Sequence, residues 1–423
     1  MMQEKQMVII GGGFGGLYAA KALRRLPVRL TLVDRHNYHL FQPLLYQVAT
    51  GGLSPGDIAS PLRGIVGRQK NTWVLQANVM DIDPVARQVM LTDRVLPYDV
   101  LVVATGVRHS YFGHEEWSDD APGLKTIDDA LEIRRRVFTA FEKAERENDP
   151  AQRQMWQTFI LVGGGPTGVE LAGALGELAN RTMRDDFKNI DPTQTRILLV
   201  EGGERVLPTY PPDLSGKAAA AVERLGVTIR VKTLVTQIGE QLVTLKAGEN
   251  VEQVAAGTIL WAAGVQASPL GRVLAEKTGV ALDRSGRVVV NPDLTIPNYP
   301  DIFVIGDLAH FAHQTGQPLP GVAQVAMQMG AYVAQRVKKG EPAGQRPAFH
   351  YTDKGNLAVI GRNAAVADLG WIKLSGYLAW LIWVFIHITY LIEFDNKVKV
   401  LFEWFQDYLF RKRGARLITR GDG

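Results

Sequence analysis

Residues 7–20 read MVIIGGGFGGLYAA: an apolar run, three spaced glycines and the small-residue start of a helix. Gly11, Gly13 and Gly16 form G-x-G-x-x-G, and Ala20 follows four positions later. A strand, this turn and a helix together make a dinucleotide-binding motif. Gly11 permits the tight turn, Gly13 lets the backbone approach a pyrophosphate, and Gly16 lets helix and strand pack closely. Unpaired N–H groups and the positive end of the helix dipole then hold the anion. Phe14 and Gly15 complete the turn. A second strand is expected over 28–33, ending on Asp34 eighteen residues past Gly16, with Arg35 next. A carboxylate at that place can bind ribose hydroxyls.

The pattern then recurs. Phe159–Val162 is an apolar run into Gly163, Gly165 and Gly168, and Ala172 again lies four positions on. A helix is expected from Pro166 and Thr167 to about Arg184, and a strand over 196–200 ends on Glu201. The longer spacing to Glu201 is taken up by the helix and the loop around Asp191-Pro192. The buried run Tyr98–Ala104 enters Thr105-Gly106, and Thr258–Ala262 enters Ala263-Gly264 in the same way. The fold class is therefore α/β, with two Rossmann-like domains, and two dinucleotides in one chain suggest electrons passing between them. The expected boundaries are 1–122 with 284–345 for the first domain, 123–283 for the second and 346–423 for a C-terminal region.

Elsewhere the pattern is weaker. Residues 36–67, rich in Pro and Gly, read as loop plus a short helix. Residues 73–80, 89–91 and Val95 suggest a small β meander. Residues 127–148 suggest a helix that Asp149-Pro150 ends. Further short strands are expected over 227–231 and 242–245, strands and turns over 345–362, a strand from Asp301 to Ile305 leading into Gly306-Asp307, and a helix over 321–338.

At 423 residues two or three domains are expected, and 46% apolar with 21% charged residues fits a globular protein. There is no cysteine, which removes disulfides, thiolate metal sites and cysteine redox chemistry. No His/Asp cluster has ligand spacing, so no metal is expected. The net charge is +4, and residues 396–423 alone hold seven Lys or Arg against three Asp or Glu. With the basic excess confined to the tail, nucleic-acid binding is not expected. Gly11–Gly16 interrupts any apolar leader, so no signal peptide is expected.

The order GGGFGG, ATG at Ala104–Gly106, GGGPTGVE and a late IGD at Ile305–Asp307 resembles the two-dinucleotide flavoproteins of glutathione-reductase-like fold. That resemblance implies FAD at the first turn, NAD(P)H at the second, and Asp307 as a flavin ligand. Disulfide reductases and sulfide:quinone oxidoreductases need cysteines, so neither activity is possible here. NYHLFQPLLYQVATGG at 37–52, AQVAMQ at 323–328 and the aromatic C-terminus are similar to type II NADH dehydrogenases, the single-subunit NADH:quinone oxidoreductases. The resemblance implies that Gln324 and Gln328 form the quinone site, with Ala323 leaving room for a flat ring and Ala323 and Gln324 also counted among the cofactor-binding residues, and that Glu170 lies beside the nicotinamide and flavin rings. It implies hydride transfer from NADH to FAD and two electrons on to a membrane quinone in a respiratory chain, without proton pumping. A soluble reductase of the same fold feeding ferredoxin or rubredoxin, or a non-catalytic NADH-sensing flavoprotein, are the rival readings.

Glu201 would accept from both ribose hydroxyls and repel a 2′-phosphate, favouring NADH, although Arg205 is near enough to receive one. A helix-dipole role for Glu170, a capping role for Asp307 and a solvated face for Gln324 and Gln328 are the plain alternatives. Lys373 is a weaker candidate cation, and His387 reads as packed.

Leu374–Ile392 is nineteen residues without a charge, roughly 28 Å as a helix against about 30 Å of hydrocarbon. Val398, Leu401, Phe402, Phe405 and Leu409 share a face opposite Lys399, Glu403 and Gln406, and Arg411, Lys412, Arg413 and Arg416 follow. An apolar aromatic face with a basic flank describes a helix lying in a membrane interface; a dimer interface, a buried core helix or a single span are the alternatives. The expected placement is the cytoplasmic face of the cell membrane, peripheral or monotopic, as a homodimer.

Overall fold

The computed structural model describes residues 4–410 and 413–418. The chain forms two compact units, one of residues up to 40, 59–108 and 265–353, the other of 41–58, 109–264 and from 354 onward. The two units divide at 108 and 264, and residues from 354 onward lie in the second.

In the first unit a six-stranded sheet runs in the order Thr295–Ile296, Tyr299–Val304, Val100–Val103, Lys5–Ile10, Val28–Asp34, Thr72–Gln76. All pairs but the first are parallel. The central VLVV run is buried throughout, as a strand covered on both faces must be. Ile10 pairs with both Val33 and Val103, and Val103 with Val304. That register brings the segments after Ile10, Val33, Val103 and Val304 to one edge of the sheet. The Phe14–Ala22 and Ala323–Lys339 helices pack closely. Gly330 allows this, since a Cβ there would lie 2.3 Å from the Gly15 carbonyl oxygen.

Two expectations in this region change. The run 73–80 is two strands: Thr72–Gln76 joins the main sheet, and Val79–Asp83 starts the meander with Gln88–Leu91 and Val95–Pro97. The Ala77 N–H donates to Asp34 O at 2.9 Å and closes the main-sheet ladder there. The segment expected as loop plus a short helix holds a Tyr38–Leu40/Ala59–Pro61 ribbon, a 3-10 turn and three short helices, Leu45–Ala49, Pro55–Ile58 and Leu62–Val66.

The second unit repeats the core on a smaller scale. Its parallel sheet is ordered Val227–Arg230, Arg196–Val200, Thr158–Val162, Thr258–Trp261. A meander of Leu234–Gly239, Leu242–Ala247 and Asn250–Ala255 supplies two strands that the sequence pattern did not show. A capping box of Thr126 and Asp129 opens the Ile127–Arg146 helix. Asp149-Pro150, expected only as a stop, starts a further helix, because Asp149 accepts from the Ala151 and Gln152 N–H groups and proline suits the first helical position. The Pro166–Glu177 helix passes into a π turn over Leu178–Thr182.

The C-terminal region begins with an antiparallel sheet of Asn356–Gly361, Ala364–Asp368 and Lys373–Gly376. It crosses the Pro166–Glu177 helix at Gly173, where a Cβ would sit 1.7 Å from Ile360 O. The nineteen-residue uncharged run is divided: Leu374–Gly376 is strand, and the helix is Tyr377–Tyr390, 14 residues and about 21 Å long. Among the described residues no helix is long and apolar enough to cross a membrane. The Phe394–Phe410 helix turns Val400 inward, while Val398, Leu401, Phe402, Phe405 and Leu409 are exposed. Leu378, Leu381 and Phe385 of the preceding helix, and Trp371 at 85%, are exposed too.

The basic flank is corrected by the packing. Arg413 is buried, with its guanidinium on the carbonyls of Thr50 and Ala174 and on Glu177. Arg416 pairs with Asp186, and Ala415 O accepts from Arg134. Arg413 satisfies buried carbonyls of its own unit, so it is not the lipid-facing charge expected, and Arg416 is paired with the exposed Asp186; Arg411 and Lys412 lie outside the described residues. Glu177 also accepts the Arg362 N–H at 2.5 Å, so it ties the tail and the C-terminal sheet to one helix. Glu177→Ala leaves a buried guanidinium uncompensated, and stability should fall by about 3 kcal/mol. Thermal unfolding, with limited proteolysis to follow release of the C-terminal helices, checks this; an unchanged midpoint removes Glu177 as the tie.

Candidate functional site

The two glycine turns have the same construction. Gly11 and Gly163 have φ of +107° and +110°, and a Cβ on either would lie 2.4 Å or 2.7 Å from the backbone after the neighbouring strand. A Cβ on Gly16 or Gly168 would meet the carbonyl oxygen of Gly11 or Gly163 within 2 Å. Gly13 and Gly165 face open space, and neither following helix has a side-chain cap. A helix start of this kind, open and without a side-chain cap, is a place where backbone N–H groups meet an anion.

The carboxylates behind the turns also match. Asp34 accepts from Gly12 N–H at 2.6 Å and His36 N–H at 2.7 Å. Glu201 accepts from Gly164 and Gly203 N–H, both at 2.6 Å. Each oxygen keeps a second lone pair for a ribose hydroxyl. Arg205 is turned into its own loop, donating to Pro208 O at 2.9 Å. Its guanidinium supports that loop, which argues against the phosphate-receiving alternative.

The first unit gathers Gly11–Gly16, Asp34, the exposed Arg35, Thr105-Gly106 and Asp307 at one sheet edge. Thr105 Oγ1 is buried there without a protein partner. Asp307 lies beside Gly321, whose Cβ would be 3.4 Å from its carboxyl carbon. Ala323 and Gln324 open the next helix, Gln324 half-buried. Gln328 lies four residues on, on the same face. Its amide makes a reciprocal pair with Thr352, donating to O at 2.9 Å and accepting from N–H at 3.0 Å. Gln328 therefore anchors the chain at 352.

In the second unit Glu170 is half-buried on the Pro166–Glu177 helix and accepts the Val359 N–H. Desolvation raises its carboxyl from the ordinary 4.5 to about 8, so it is protonated at neutral pH. Burial, then the nearby Glu170, pushes the phenols of Tyr46 and Tyr210 up. The sequence pattern did not single out these partners; only YQVATGG, quoted for its family likeness, held a signal. Tyr46 OH accepts from Gln47 Nε2 at 2.8 Å, and Gln47 Oε1 accepts from Trp404 Nε1 at 2.7 Å. A cavity of about 90 Å³ is lined by Tyr46, Gln47, Trp383, Trp404, Tyr408 and Arg413 among others. His387 is packed as expected, its Nδ1 on Trp383 O and its pKa lowered to about 4 by burial. Lys373 is exposed and lies 3.9 Å from Asp213.

The Glu170 shift has a testable sign. Both folded and unfolded chains hold the proton below about pH 4.5, so burial then costs nothing. The cost grows as pH rises and is fully present above about 8. Glu170→Gln cannot ionise. Its melting temperature should gain on the wild type between those pH values and hold that gain above them. A difference that stays flat with pH means the acid is not desolvated.

Residues 5–330 match the pyridine nucleotide-disulphide oxidoreductase family, and 354–413 match the NDH2 C-terminal domain. The type II NADH:quinone oxidoreductase Ndh of Mycobacterium tuberculosis is 46% identical over 99% of this chain and 91% of its own length. The chain belongs to the type II NADH:quinone oxidoreductases. The Staphylococcus aureus type II enzyme is 32% identical over 86% of the chain and 89% of its own length. In fold, NDH2 of Plasmodium falciparum, solved in complex with NADH, is similar with a TM-score of 0.88 at 20% identity, covering 99% and 100% of the two chains. The Aquifex aeolicus sulfide:quinone oxidoreductase shares the fold at a TM-score of 0.72 and 20% identity, over 96% of each chain.

The residues present fit the groups that a type II enzyme uses. The uncapped helix start at Gly13 and the unpaired Thr105 Oγ1 suit FAD in the first unit. The uncapped, open Gly165 and the Glu201 carboxylate suit NADH in the second. The match to the C-terminal domain separates this chain from soluble reductases of the same fold.

Proposed function

We infer that this chain oxidises NADH and passes the electron pair to a quinone drawn from a membrane, with no proton translocation. The observation that carries the reading is the exposed apolar and aromatic face of the two terminal helices, on a chain with two open dinucleotide turns. FAD, when bound, supplies a carrier that takes hydride and gives up electrons. In our assignment the first unit holds FAD through Gly11–Gly16, Asp34, Arg35, Thr105-Gly106 and Asp307. The second holds NADH through Gly163–Gly168, Glu201 and Ala263-Gly264. With Arg205 turned away and Glu201 opposing a 2′-phosphate, NADH is preferred to NADPH. Glu170, protonated at neutral pH, holds a proton that quinone reduction requires. The Gln324 amide can donate to a quinone carbonyl and accept from the reduced hydroxyl.

The chain acts at the cytoplasmic membrane surface, and we assign it a homodimeric state; light scattering of the detergent-solubilised enzyme tests the latter. The function is tested by separating the two half-reactions by stopped flow. Gln324→Ala should leave reduction by NADH unchanged and slow reoxidation by quinone by about tenfold or more, the effect of losing one hydrogen bond to a reacting group. Slowing of the NADH half with the quinone half spared would show that the quinone site is misplaced.

A further inference from the structure

Phe112 is a bulky residue in left-handed backbone, with φ of +56°. That conformation is unfavourable for any residue with a Cβ, and such strain concentrates at functional positions. Tyr111 beside it is buried in an aromatic core with Trp117 and Trp261. Phe112 lies at the edge of that core, its ring tilted against Trp261 at 6.2 Å between centroids, and it is 68% exposed. The tip of its ring abuts Gly264, where a Cβ would lie 2.5 Å from Phe112 Cζ. Two bonds fix the approach: Ser110 N–H donates to Gly264 O at 3.4 Å, and Trp261 Nε1 donates to Ser110 O at 2.9 Å.

The sheet order gives that place a meaning. The Gly163 turn follows the Thr158–Val162 strand, with Arg196–Val200 and Glu201 on one side and Thr258–Trp261 and Gly264 on the other. In a parallel α/β unit the pyrophosphate lies at the helix start and the carboxylate after the second strand takes the adenosine ribose. The other half of the dinucleotide, the nicotinamide riboside, therefore runs over Ala263-Gly264. Gly163 confirms how close these segments are, since its Cβ would lie 2.7 Å from Ala263 N.

We propose that Phe112 is a positioning residue for the nicotinamide half of NADH, its exposed ring packing on the nicotinamide riboside where it crosses Gly264. This rests on the assignment of the second turn to NADH. An aromatic ring suits a flat ligand ring, and stacking of this kind adds to simple area burial. The left-handed backbone goes with a ring that rests one side on Trp261 and leaves the rest exposed beside Gly264.

The test is equilibrium binding of redox-inert tetrahydro-NADH and of ADP-ribose, which lacks the nicotinamide, to the FAD-loaded enzyme. Phe112→Ala should weaken the first ligand by about tenfold and leave the second within about twofold. Phe112→Tyr should restore binding. Phe112→Gly should show the same loss, with a melting temperature equal to or above the wild type because the backbone strain is relieved. Equal weakening of both ligands, or of neither, overturns the proposal. A wild-type enzyme that bound neither ligand would overturn the second-turn assignment as well, and so separates that failure from this one.

Discussion

Gly13→Val should purify folded and colourless. Gly13 has φ of −70° and ψ of −167°, extended backbone that valine adopts readily. No atom lies within 4 Å of the Cβ it would gain, so the fold has room for the side chain. That same room is where a pyrophosphate must approach the uncapped helix start. Displacing it removes at least two charge-assisted hydrogen bonds of about 1.5–3 kcal/mol each. At 1.4 kcal/mol per decade, affinity for FAD should drop by more than about 100-fold. Gly165→Val is the matched control, with φ of −71° and equally open space. It should purify yellow, with the flavin no longer reduced by NADH at useful rates. Flavin absorbance per chain and anaerobic NADH addition read both. A yellow Gly13→Val protein with full flavin would reverse or remove the assignment of the first turn.

Membrane attachment should collapse when the exposed apolar face is made acidic. Phe385, Phe402 and Phe405 are 72%, 57% and 59% exposed, so none supports the core. Each phenylalanine buried in lipid contributes about 1.5–3 kcal/mol. The triple change Phe385→Glu, Phe402→Glu, Phe405→Glu should lower partitioning into vesicles by at least about 1,000-fold, with an unchanged melting temperature. Turnover with long-tailed quinones should fall with it, while short-chain quinones that dissolve in water should be reduced at near wild-type rates. Continued sedimentation with vesicles would mean that this face is not the anchor. Deleting everything after Gly370 is a poorer test than these substitutions. Trp383 and Val400 are buried, and Arg413 is tied to Thr50, Ala174 and Glu177, so deletion also opens the second unit.

The sequence by itself determined the construction of the two glycine turns, down to the steric reason for the first and third glycine of each. Strand, turn and helix start are local, and steric limits on φ and on Cβ approach act within a few residues. Asp34 and Glu201 were legible for the same reason, since a strand of fixed rise ends at a countable place. The apolar face of the last helix followed from its period, because exposure and burial alternate with the helical turn. What the sequence could not decide was which side chains were already engaged by distant partners. Spacing puts Gln328 on the Gln324 face of its helix, and only the tertiary structure shows that the chain at Thr352 pairs with its amide. Arg413 and Arg416 read as lipid-facing charge until Glu177, Asp186 and two buried carbonyls are placed around them. The Gln47–Trp404 bond joins residues 357 positions apart. Gly264 likewise reads as one more turn glycine until the Phe112 ring is set against it. Local periodicity specifies backbone geometry, but the desolvation of Glu170 and the partner of each amide and guanidinium depend on which segments pack together, and that is settled only when the whole core closes.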